Sequence, residues 1–345
     1  MNKILTVVIP TYNMEKYLRR CLDSLLIDNK EIFDSLEVLV INDGSKDSSS
    51  AIAHEYQDKY PNVFRVIDKE NGNYGSCVNR GLKEASGKYI KILDADDWFD
   101  TLPFSSYLQT LQTLDVDMVI NDYKVVNENN KVIKNWSLGL NHMEKIELDN
   151  VCIDSIISIQ MHALAYKKEI LLNMGYQQSE GISYTDQEWC FFPMSAVRTI
   201  YYINLTVYCY LLGREGQTMQ LSKMQASVFC LELILERMLR YMSNTSLWVI
   251  DYQKKRLLSI INLVYTLRLM SYPHIIEKDL QRLDEMIRLR SEDIYVDMET
   301  LHLHETYCKI RYIKMWRNGE RFLLWLFMKY YLFVSSLLKL LRKYK

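Results

Sequence analysis

The segment Lys88–Asp97 (KYIKILDADD) constrains the fold of this chain more than any other stretch, because a buried strand ends there in three carboxylates. Its largely apolar run, Tyr89–Leu93, is typical of a strand covered on both faces. Asp94, Asp96 and Asp97 follow at the carboxyl end of that strand, where ligands bind in open α/β sheets. Crowded carboxylates repel one another unless a cation neutralises them. The segment therefore predicts either a site for Mg²⁺ or Mn²⁺ or a solvated acidic turn.

Strand and helix patterns alternate through the first hundred residues. Runs rich in β-branched residues predict strands before the acidic one, and apolar residues at helical spacing follow each of them. The predicted strands are Ile4–Ile9, Glu37–Ile41 and Val63–Ile67, and the predicted helices are Glu15–Leu26, a second through Asp58, and Ser76–Ala85. This alternation is typical of parallel β–α units wound into a Rossmann-like sheet.

Polar turns lie between these strands and helices, and they would share one edge of the sheet. Pro10–Asn13 and Asn42–Ser48 follow the first two strands, and Gly72–Gly75 precedes the third helix. Asp43 is placed to accept a hydrogen bond from a nucleotide base, and Tyr12 to flank the base or the phosphates. Singly, each is more readily explained as a turn residue or a surface aromatic, but their convergence on one edge favours a nucleotide site.

Composition limits the classes of protein that fit. The 345 residues are 49% hydrophobic and 25% charged, which suits a globular main domain plus a smaller one. The first apolar run is broken by Pro10 and is too short for a signal peptide, so we expect a cytoplasmic protein. Seven cysteines without a CxxC spacing argue against a disulfide framework or a zinc site and indicate buried thiols.

The C-terminal third of the chain is helical in pattern and ends in a cationic tail. The predicted helices are Val228–Met242, Leu247–Met270, Ile275–Arg290 and Leu301–Trp316, followed by one from Glu320 to about Lys343. Residues 309–345 carry +9 and the other 308 residues carry −10. Lys329 disfavours a membrane span, so the mixture of apolar, aromatic and cationic residues favours a helix lying in the interface of an anionic inner leaflet. A spanning helix and a helix packed on protein are the alternatives.

Three segments, in order, resemble family 2 glycosyltransferases of the GT-A fold, inverting enzymes that use nucleotide-activated sugars. VVIPTYNMEKYLRRCLDSLL is similar to the family's opening, EVLVINDGSKDSS to its uracil-contacting turn, and ENGNYGSCVNRGLKEASGKYIKILDADD to the run into its DXD motif. The resemblance covers about residues 4–100. It implies that Pro10, Tyr12 and Asp43 contact the nucleotide. Asp94 and Asp96 would be the DXD acids, with Asp96 the stronger candidate for direct metal contact, while Asp97 would brace the turn.

The chain departs from the family's pattern in the same region. Asn42 stands where many relatives have Asp, and Asn73 stands where Gly is common, which we expect to stiffen the loop. Cys77–Asn79 replaces an Ala-Arg-Asn, which puts an arginine contact to the donor in doubt.

Two later segments are similar to further parts of the family. Gly181–Trp189 resembles its Glu-Asp motif with Thr185 in place of Glu, which makes Asp186 the candidate catalytic base and Glu188 the second choice. Asp186 is otherwise a helix cap. The turn around Arg214 resembles the segment that closes over the diphosphate, so Arg214 either pairs with phosphate or is a surface arginine. The isolated His162 favours a structural or acceptor-side role over metal ligation.

These observations predict an α/β protein with a GT-A domain at 1–220, an all-α domain at 221–316 and an amphipathic membrane-associating tail helix at 317–345. The expected activity is Mn²⁺- or Mg²⁺-dependent inverting transfer of a hexose or N-acetylhexosamine. The donor would be a nucleotide sugar, UDP being the expected nucleotide, and the acceptor a cell-surface glycan or polyprenyl-linked sugar at the inner membrane face. The alternatives are a non-catalytic sugar-nucleotide-binding subunit that tethers a partner enzyme, and a nucleotidyltransferase, whose Gly-rich opening the chain lacks. No nucleic-acid partner is expected, and a homo-oligomer is left open.

Overall fold

The computed structural model describes residues 2–140, 144–214, 216–218, 220–243, 245–270, 277–303 and 309–343. The chain divides into two compact units, Met1–Gln217 and Thr218–Lys345. The first unit contains all the strands of the described residues, and the second is helical.

Ten strands in the described part of the first unit form one mixed sheet. They are β1 Leu5–Thr11, β2 Leu36–Asn42, β3 Phe64–Asp68, β4 Tyr89–Ile92, β5 Trp98–Phe99, β6 Met118–Val126, β7 Val132–Trp136, β8 Lys145–Glu147, β9 Leu164–Lys167 and β10 Thr199–Leu211. Their order is β3-β2-β1-β4-β9-β6-β10-β5, with β7 beside β6 and β8 beside β10.

The first four strands form the parallel half that the sequence predicts. β1 pairs in parallel with β2 and β4, and β2 with β3. Every residue of β1, β2 and β4 is buried, as expected for strands covered on both faces. The second half is mixed, because β9 runs antiparallel to both β4 and β6 while β10 runs parallel to β6. The predicted α/β fold class is confirmed, but the sheet as a whole is not mostly parallel.

Eight α-helices in the described part of the first unit flank the sheet. They are α1 Leu18–Asp23, α2 Lys30–Asp34, α3 Ser49–Lys59, α4 Asn73–Glu84, α5 Thr101–Leu111, α6 Ile153–Ile156, α7 Lys168–Asn173 and α8 Asp186–Trp189. Helix α8 is only one turn long, and a separate 3₁₀ turn begins at Pro193. Proline supplies no backbone donor, so it starts a turn more readily than it continues a helix.

Helix α4 lies directly on the sheet, and this position matters for the site. A Cβ on Gly81 would lie 2.3 Å from Cγ1 of Val8 in β1, so only glycine allows this approach. The first turn of α4 lies beside the end of β4, where the Tyr74 hydroxyl donates to Asp94.

Seven α-helices lie in the described part of the second unit. They are α9 Leu221–Ala226, α10 Val228–Arg240, α11 Leu247–Met270, α12 Glu277–Arg290, α13 Glu292–Asp297, α14 Tyr312–Arg317 and α15 Arg321–Lys343. The predicted helix Leu301–Trp316 is wrong: Leu303 N–H donates to the carbonyl of Ile310 at 3.2 Å, so the chain reverses before α14 begins. Residues 304–308, within the predicted helix, lie outside the described residues.

Helix α15 has one buried face and one exposed apolar face. Leu324 and Met328 are buried, and the helix contacts α11 and α14 of the same unit. Phe322, Leu326 and Tyr330 are 70%, 42% and 52% exposed. None of the helices formed by described residues is both long and apolar enough to cross a bilayer.

The described cysteines are unlinked, as the absence of a cysteine framework predicts. Cys21, Cys77, Cys190, Cys209 and Cys230 are buried free thiols, whereas Cys152 is exposed, contrary to expectation. Cys308 lies outside the described residues.

Candidate active site

The acidic turn after β4 is fixed to the neighbouring strand β10 through Asp97. Asp97 is fully buried, and its carboxylate accepts hydrogen bonds from the Tyr208 hydroxyl and from the Leu211 backbone N–H, both at 2.7 Å. Its own N–H donates to the carbonyl of Asp94 at 2.9 Å. Burial, and then the charges of Asp96 and Asp94, raise the pKa of Asp97 well above its usual range. Asp97 thus braces the turn.

Asp94 is the first acid of the turn, and the negative charges of Asp96 and Asp186 act on it. Its Oδ1 accepts a hydrogen bond of 2.7 Å from the Tyr74 hydroxyl of α4. Burial raises the pKa of Asp94 to about 7, and the charges of Asp96 and Asp186 add to this, while Tyr74 and Arg214 oppose it. A carboxyl group with such a pKa is a natural ligand for an added cation.

Asp96 is 7% exposed and already has a cationic partner, Arg214, whose Nε donates to Asp96 Oδ2. The guanidinium of Arg214 also lies 5.5 Å from the ring centre of Tyr17. Arg214, which the sequence assigned to phosphate, therefore contacts the predicted metal-binding acid in this structure. Arg20 Nη2 also donates to the carbonyl of Asp96 at 3.1 Å, so two guanidinium groups lie at the turn.

The residues around the turn fit a divalent cation by their chemistry. Ligand atoms of Asp94, Asp97 and His162 lie within 4.8 Å of one another. Burial, and then the charge of Lys91, lowers the pKa of His162 to about 3, so its imidazole is neutral and able to ligate at neutral pH. Carboxylate oxygens with a neutral imidazole suit Mn²⁺ or Mg²⁺. The sequence predicts Asp94 and Asp96 as the metal-binding acids, whereas this cluster has Asp97 in the place of Asp96 and adds His162.

Lys91 also lies near the acidic turn, and it was not singled out from the sequence. It is fully buried in β4, and its ammonium donates to Asn121 Oδ1 at 2.8 Å and to the carbonyls of His162 and Leu164 at 2.9 and 3.2 Å. Burial lowers the pKa of Lys91 well below its usual range. The sequence feature that could have identified Lys91 is a charged residue at the centre of an otherwise apolar strand.

The predicted nucleotide edge is built around Asp43, which is 3% exposed. Its carboxylate accepts from Lys69 Nζ at 2.5 Å, from Gly72 N–H at 2.9 Å and from Asn73 N–H at 3.0 Å. Asn73 has a φ of +67°, a left-handed conformation that asparagine tolerates better than most residues. The asparagine in place of glycine thus retains the turn that Asp43 needs.

A cleft of about 540 Å³ opens beside Asp43. Tyr12, Lys46, Asp68 and Lys69 are among its lining residues, and Tyr12 is 45% exposed. Pro10 is buried within β1 at the same edge and is not among the lining residues. The fold therefore brings Tyr12 and the Asp43–Lys69 pair together.

Asp186 is the first residue of α8, and its charge acts on groups at and near the acidic turn. Its charge contributes to the raised pKa values of Asp94, Tyr74 and Tyr210, which are all at the turn. Its Oδ2 accepts from Gln187 Nε2 at 2.9 Å. Two residues earlier, Tyr184 has a φ of +66°, an uncommon conformation for a bulky side chain and one that marks local strain.

Glu188, the second candidate base, has a different environment. It is fully buried, and its two oxygens accept from the Ser179 backbone N–H at 2.6 Å and from the Ser179 hydroxyl at 2.7 Å. The geometry thus separates the two acids, with Asp186 at the acidic turn and Glu188 bound to the segment that precedes it.

Comparisons with known proteins agree with this fold. Residues 6–175 match the family described as Glycosyl transferase family 2. The solved structure of S. aureus TarS 1–349 in complex with UDP-GlcNAc is similar with a TM-score of 0.66, 20% identity and 92% coverage of both chains. The mannosyltransferase PcManGT from Pyrobaculum calidifontis, with GDP-Man and Mn²⁺, is similar with a TM-score of 0.52, 13% identity and coverage of 86% of this chain and 83% of that one. At these identities the likeness establishes the fold.

Curated relatives match over shorter stretches. Glycosyltransferase GlyA of Streptococcus pneumoniae serotype 4 is 32% identical over 149 residues, which are 43% of this chain and 21% of the relative. The uncharacterized glycosyltransferase MG025 of Mycoplasma genitalium is 40% identical over 129 residues, 36% of this chain and 42% of the relative. The chain thus spans less than half the length of these relatives.

The mixed sheet thus has the GT-A-like fold that the TarS structure shows. Through residues 6–175 the chain belongs to glycosyl transferase family 2.

Proposed function

We propose that the chain is a metal-dependent inverting glycosyltransferase, of the type that builds bacterial cell-surface polysaccharides. It would move a hexose or N-acetylhexosamine from a nucleotide donor to a surface glycan or a lipid-linked acceptor. The observation that supports the proposal is the acidic turn after β4, where the charge of Asp186 acts on Asp94, on a sheet whose same edge opens a cleft beside Asp43.

The donor would lie along the edge formed by β1, β2 and β4. Asp43 and Tyr12 would contact the base, and UDP is the expected nucleotide because TarS, whose fold this chain shares, was solved with UDP-GlcNAc. Asp94 and Asp96 would hold Mn²⁺ or Mg²⁺, which would neutralise charge on the departing diphosphate. Arg214 would leave Asp96 and pair with the diphosphate, because a guanidinium binds phosphate oxygens through two parallel hydrogen bonds.

Asp186 would act as general base on the acceptor. Its carboxylate takes the proton of the acceptor hydroxyl as that oxygen bonds to the anomeric carbon. The bond from the anomeric carbon to the phosphate oxygen breaks on the opposite face, so the configuration inverts and the nucleoside diphosphate leaves with the bonding electrons. Asp186 is half-buried, which leaves its carboxylate accessible to an acceptor.

Metal-dependent donor hydrolysis and transfer tests this activity. Wild-type protein with Mn²⁺ should release nucleoside diphosphate from a sugar nucleotide, and Asp96→Ala and Asp186→Asn should lower the rate by at least about 100-fold. Thermal-shift screening of sugar nucleotides with and without Mn²⁺ identifies the donor first. Binding of a donor without turnover by the wild type would favour the non-catalytic sugar-nucleotide-binding subunit instead.

We further propose that the protein is peripheral to the inner face of the cell membrane. The exposed stripe Phe322, Leu326 and Tyr330 on α15 has the spacing of one helix face. Lys309, Arg311 and Lys314 are exposed just before that helix, and the tail is strongly cationic in sequence. An apolar stripe beside cationic residues is typical of a helix that lies on anionic lipid.

Co-sedimentation of the full chain with vesicles tests the membrane proposal. Binding is expected to vesicles containing phosphatidylglycerol and to be weak with phosphatidylcholine alone. Phe322→Ser with Leu326→Ser should abolish most of it, whereas Leu247→Ser with Leu289→Ser, at residues that are 86% and 73% exposed in the same unit, should not. Equal loss in both double variants, or equal binding to neutral vesicles, would contradict the proposal.

A further inference from the structure

The side-chain amide of Asn79 in helix α4 binds the residues that precede Asp186. Asn79 Oδ1 accepts from the Gln178 backbone N–H at 2.8 Å, and Asn79 Nδ2 donates to the Gln178 carbonyl at 2.9 Å. The same Nδ2 donates to Glu180 Oε1 at 2.8 Å. The amide therefore satisfies both backbone groups of Gln178, as a neighbouring β-strand would.

The backbone of this segment lies directly on α4. A Cβ on Gly75 would be 1.9 Å from the carbonyl oxygen of Ser179, so no other residue fits there without moving the segment. The N–H of Gly181 donates to the carbonyl of Gly72 at 3.1 Å. Residues 178–181 are thus fixed to the first two turns of α4.

Helix α8 holds the same segment from the other side. Both carboxylate oxygens of Glu188 accept hydrogen bonds from Ser179, at 2.6 and 2.7 Å. Loss of these acceptors would leave the N–H and hydroxyl of Ser179 without their partner, which destabilises a folded protein. Thr185, immediately before Asp186, donates its hydroxyl to the buried side chain of Gln178 at 3.0 Å. The position of α8, and with it Asp186, is therefore tied to residues 178–181.

Helix α4 also contacts the opposite side of the site, because Tyr74 in its first turn donates to Asp94 at 2.7 Å. One helix thus contacts the acid proposed for the donor side and the segment that leads to the acid proposed for the acceptor side. We propose that Asn79 and Glu188 are positioning residues that set the separation between Asp186 and Asp94. This inference rests on the proposed role of Asp186 as base.

The proposal predicts a specific kinetic signature. Displacement of a catalytic group by about 1 Å costs about 100-fold in rate, whereas the nucleotide edge around Asp43 and Tyr12 would keep its geometry. Loss of either positioning residue should therefore lower kcat with little change in the donor KM.

Glu188 also allows a direct test between positioning and proton transfer. Glu188→Gln keeps an oxygen for the Ser179 N–H and an amide that can donate to the Ser179 hydroxyl, so both contacts can persist while the carboxylate is lost. Glu188→Ala removes both contacts. A positioning residue tolerates glutamine, and a general base does not.

The experiment combines steady-state kinetics with hydrogen exchange on the full chain. We expect Asn79→Ala and Glu188→Ala to lower kcat about 100-fold with a donor KM within about 3-fold of wild type, and Glu188→Gln to retain kcat within about 5-fold. Arg80→Ala is the matched control, since Arg80 lies next to Asn79 in α4 but pairs with Glu84. It should leave kcat unchanged. The backbone amides of residues 178–186 should exchange at least about 10-fold faster in Asn79→Ala.

The outcomes separate this inference from the proposed function. Unchanged exchange at residues 178–186, or unchanged kcat in folded Asn79→Ala, would overturn the role of Asn79. A Glu188→Gln variant as inactive as Glu188→Ala would make Glu188 itself catalytic. Full activity in Asp186→Asn would instead refute the base assignment, and a wild type without turnover would refute glycosyl transfer, whatever the exchange data show.

Discussion

Arg214 should compete with the metal for Asp96, and Arg214→Ala tests this competition. In the structure the Arg214 guanidinium pairs with Asp96, and the two side chains are 14% and 10% exposed. A divalent cation that binds Asp96 must displace this partner. Removing the arginine should therefore strengthen metal binding to the free protein and weaken binding of the nucleotide donor.

The size of the effect follows from the burial of the pair. Unit charges about 4 Å apart attract by roughly 4 kcal/mol at an effective dielectric constant of about 20. The desolvation of the two charges and the ordering of their side chains oppose this attraction, so a partly buried pair stabilises the protein by a net free energy on the order of 1–2 kcal/mol. The Mn²⁺ Kd of metal-free Arg214→Ala should accordingly fall by roughly 5- to 30-fold. Loss of a charged hydrogen bond to phosphate, about 1.5–3 kcal/mol, should weaken UDP binding by roughly 10- to 100-fold.

Calorimetric titration measures both quantities. MnCl₂ is titrated into metal-stripped wild type, Arg214→Ala and Arg214→Lys, and UDP is then titrated at saturating Mn²⁺. Arg214→Lys keeps the charge and should give an intermediate Mn²⁺ affinity. If Arg214 merely supported the acidic turn, its removal would weaken both ligands, so weaker or unchanged Mn²⁺ binding in Arg214→Ala would refute the competition.

Three further variants test individual contacts. Asp94→Asn should stabilise the metal-free protein above pH 7 by about 2–4 kcal/mol in thermal unfolding. The pKa of Asp94 is raised from 3.8 to about 7, so the wild type loses stability as the pH rises between these two values. Added Mn²⁺ should make the wild type the more stable protein, and equal pH profiles of the two proteins without metal would contradict the assigned repulsion. Asp43→Asn removes the charge paired with Lys69 and should weaken UDP binding by about 10-fold in calorimetry, and unchanged affinity would place the base elsewhere. Gly75→Ala should cost about 1–3 kcal/mol in urea unfolding, because its Cβ would overlap the Ser179 carbonyl, and an unchanged midpoint would be inconsistent with that contact.

The parallel half of the sheet was predictable because its signals are local. Each strand from β1 to β4 is an apolar run next to a helix of matching period, and right-handed β–α units leave few alternative arrangements. The acidic turn and Asp43 follow from that order, since the carboxyl ends of parallel strands meet at one edge.

The other residues of the site were not predictable, because they depend on contacts between distant parts of the chain. β9 inserts antiparallel between β4 and β6, and only this insertion brings His162 to Asp97, at 4.0 Å, and its carbonyl to Lys91. No local pattern specifies such a neighbour. The wrong helix across Leu301–Trp316 has a similar origin, because the hydrogen bond from Leu303 to Ile310 that reverses the chain leaves no periodic signal.

The choice between Asp186 and Glu188 shows the same limit on a smaller scale. Asp186 and Glu188 are two residues apart on a helical turn, so their side chains must point in different directions, as the sequence alone implies. Which of them faces the acidic turn depends on the contact between Glu188 and Ser179.

The antiparallel insertion of β9 also has an evolutionary consequence. All four strands of the parallel half come from one continuous stretch, Leu5–Ile92, and this half joins the rest of the sheet through the pairing of β4 with β9. Such a stretch can be inherited, duplicated or recombined as a module. Selection can then change the mixed half of the sheet while the parallel half keeps its strands.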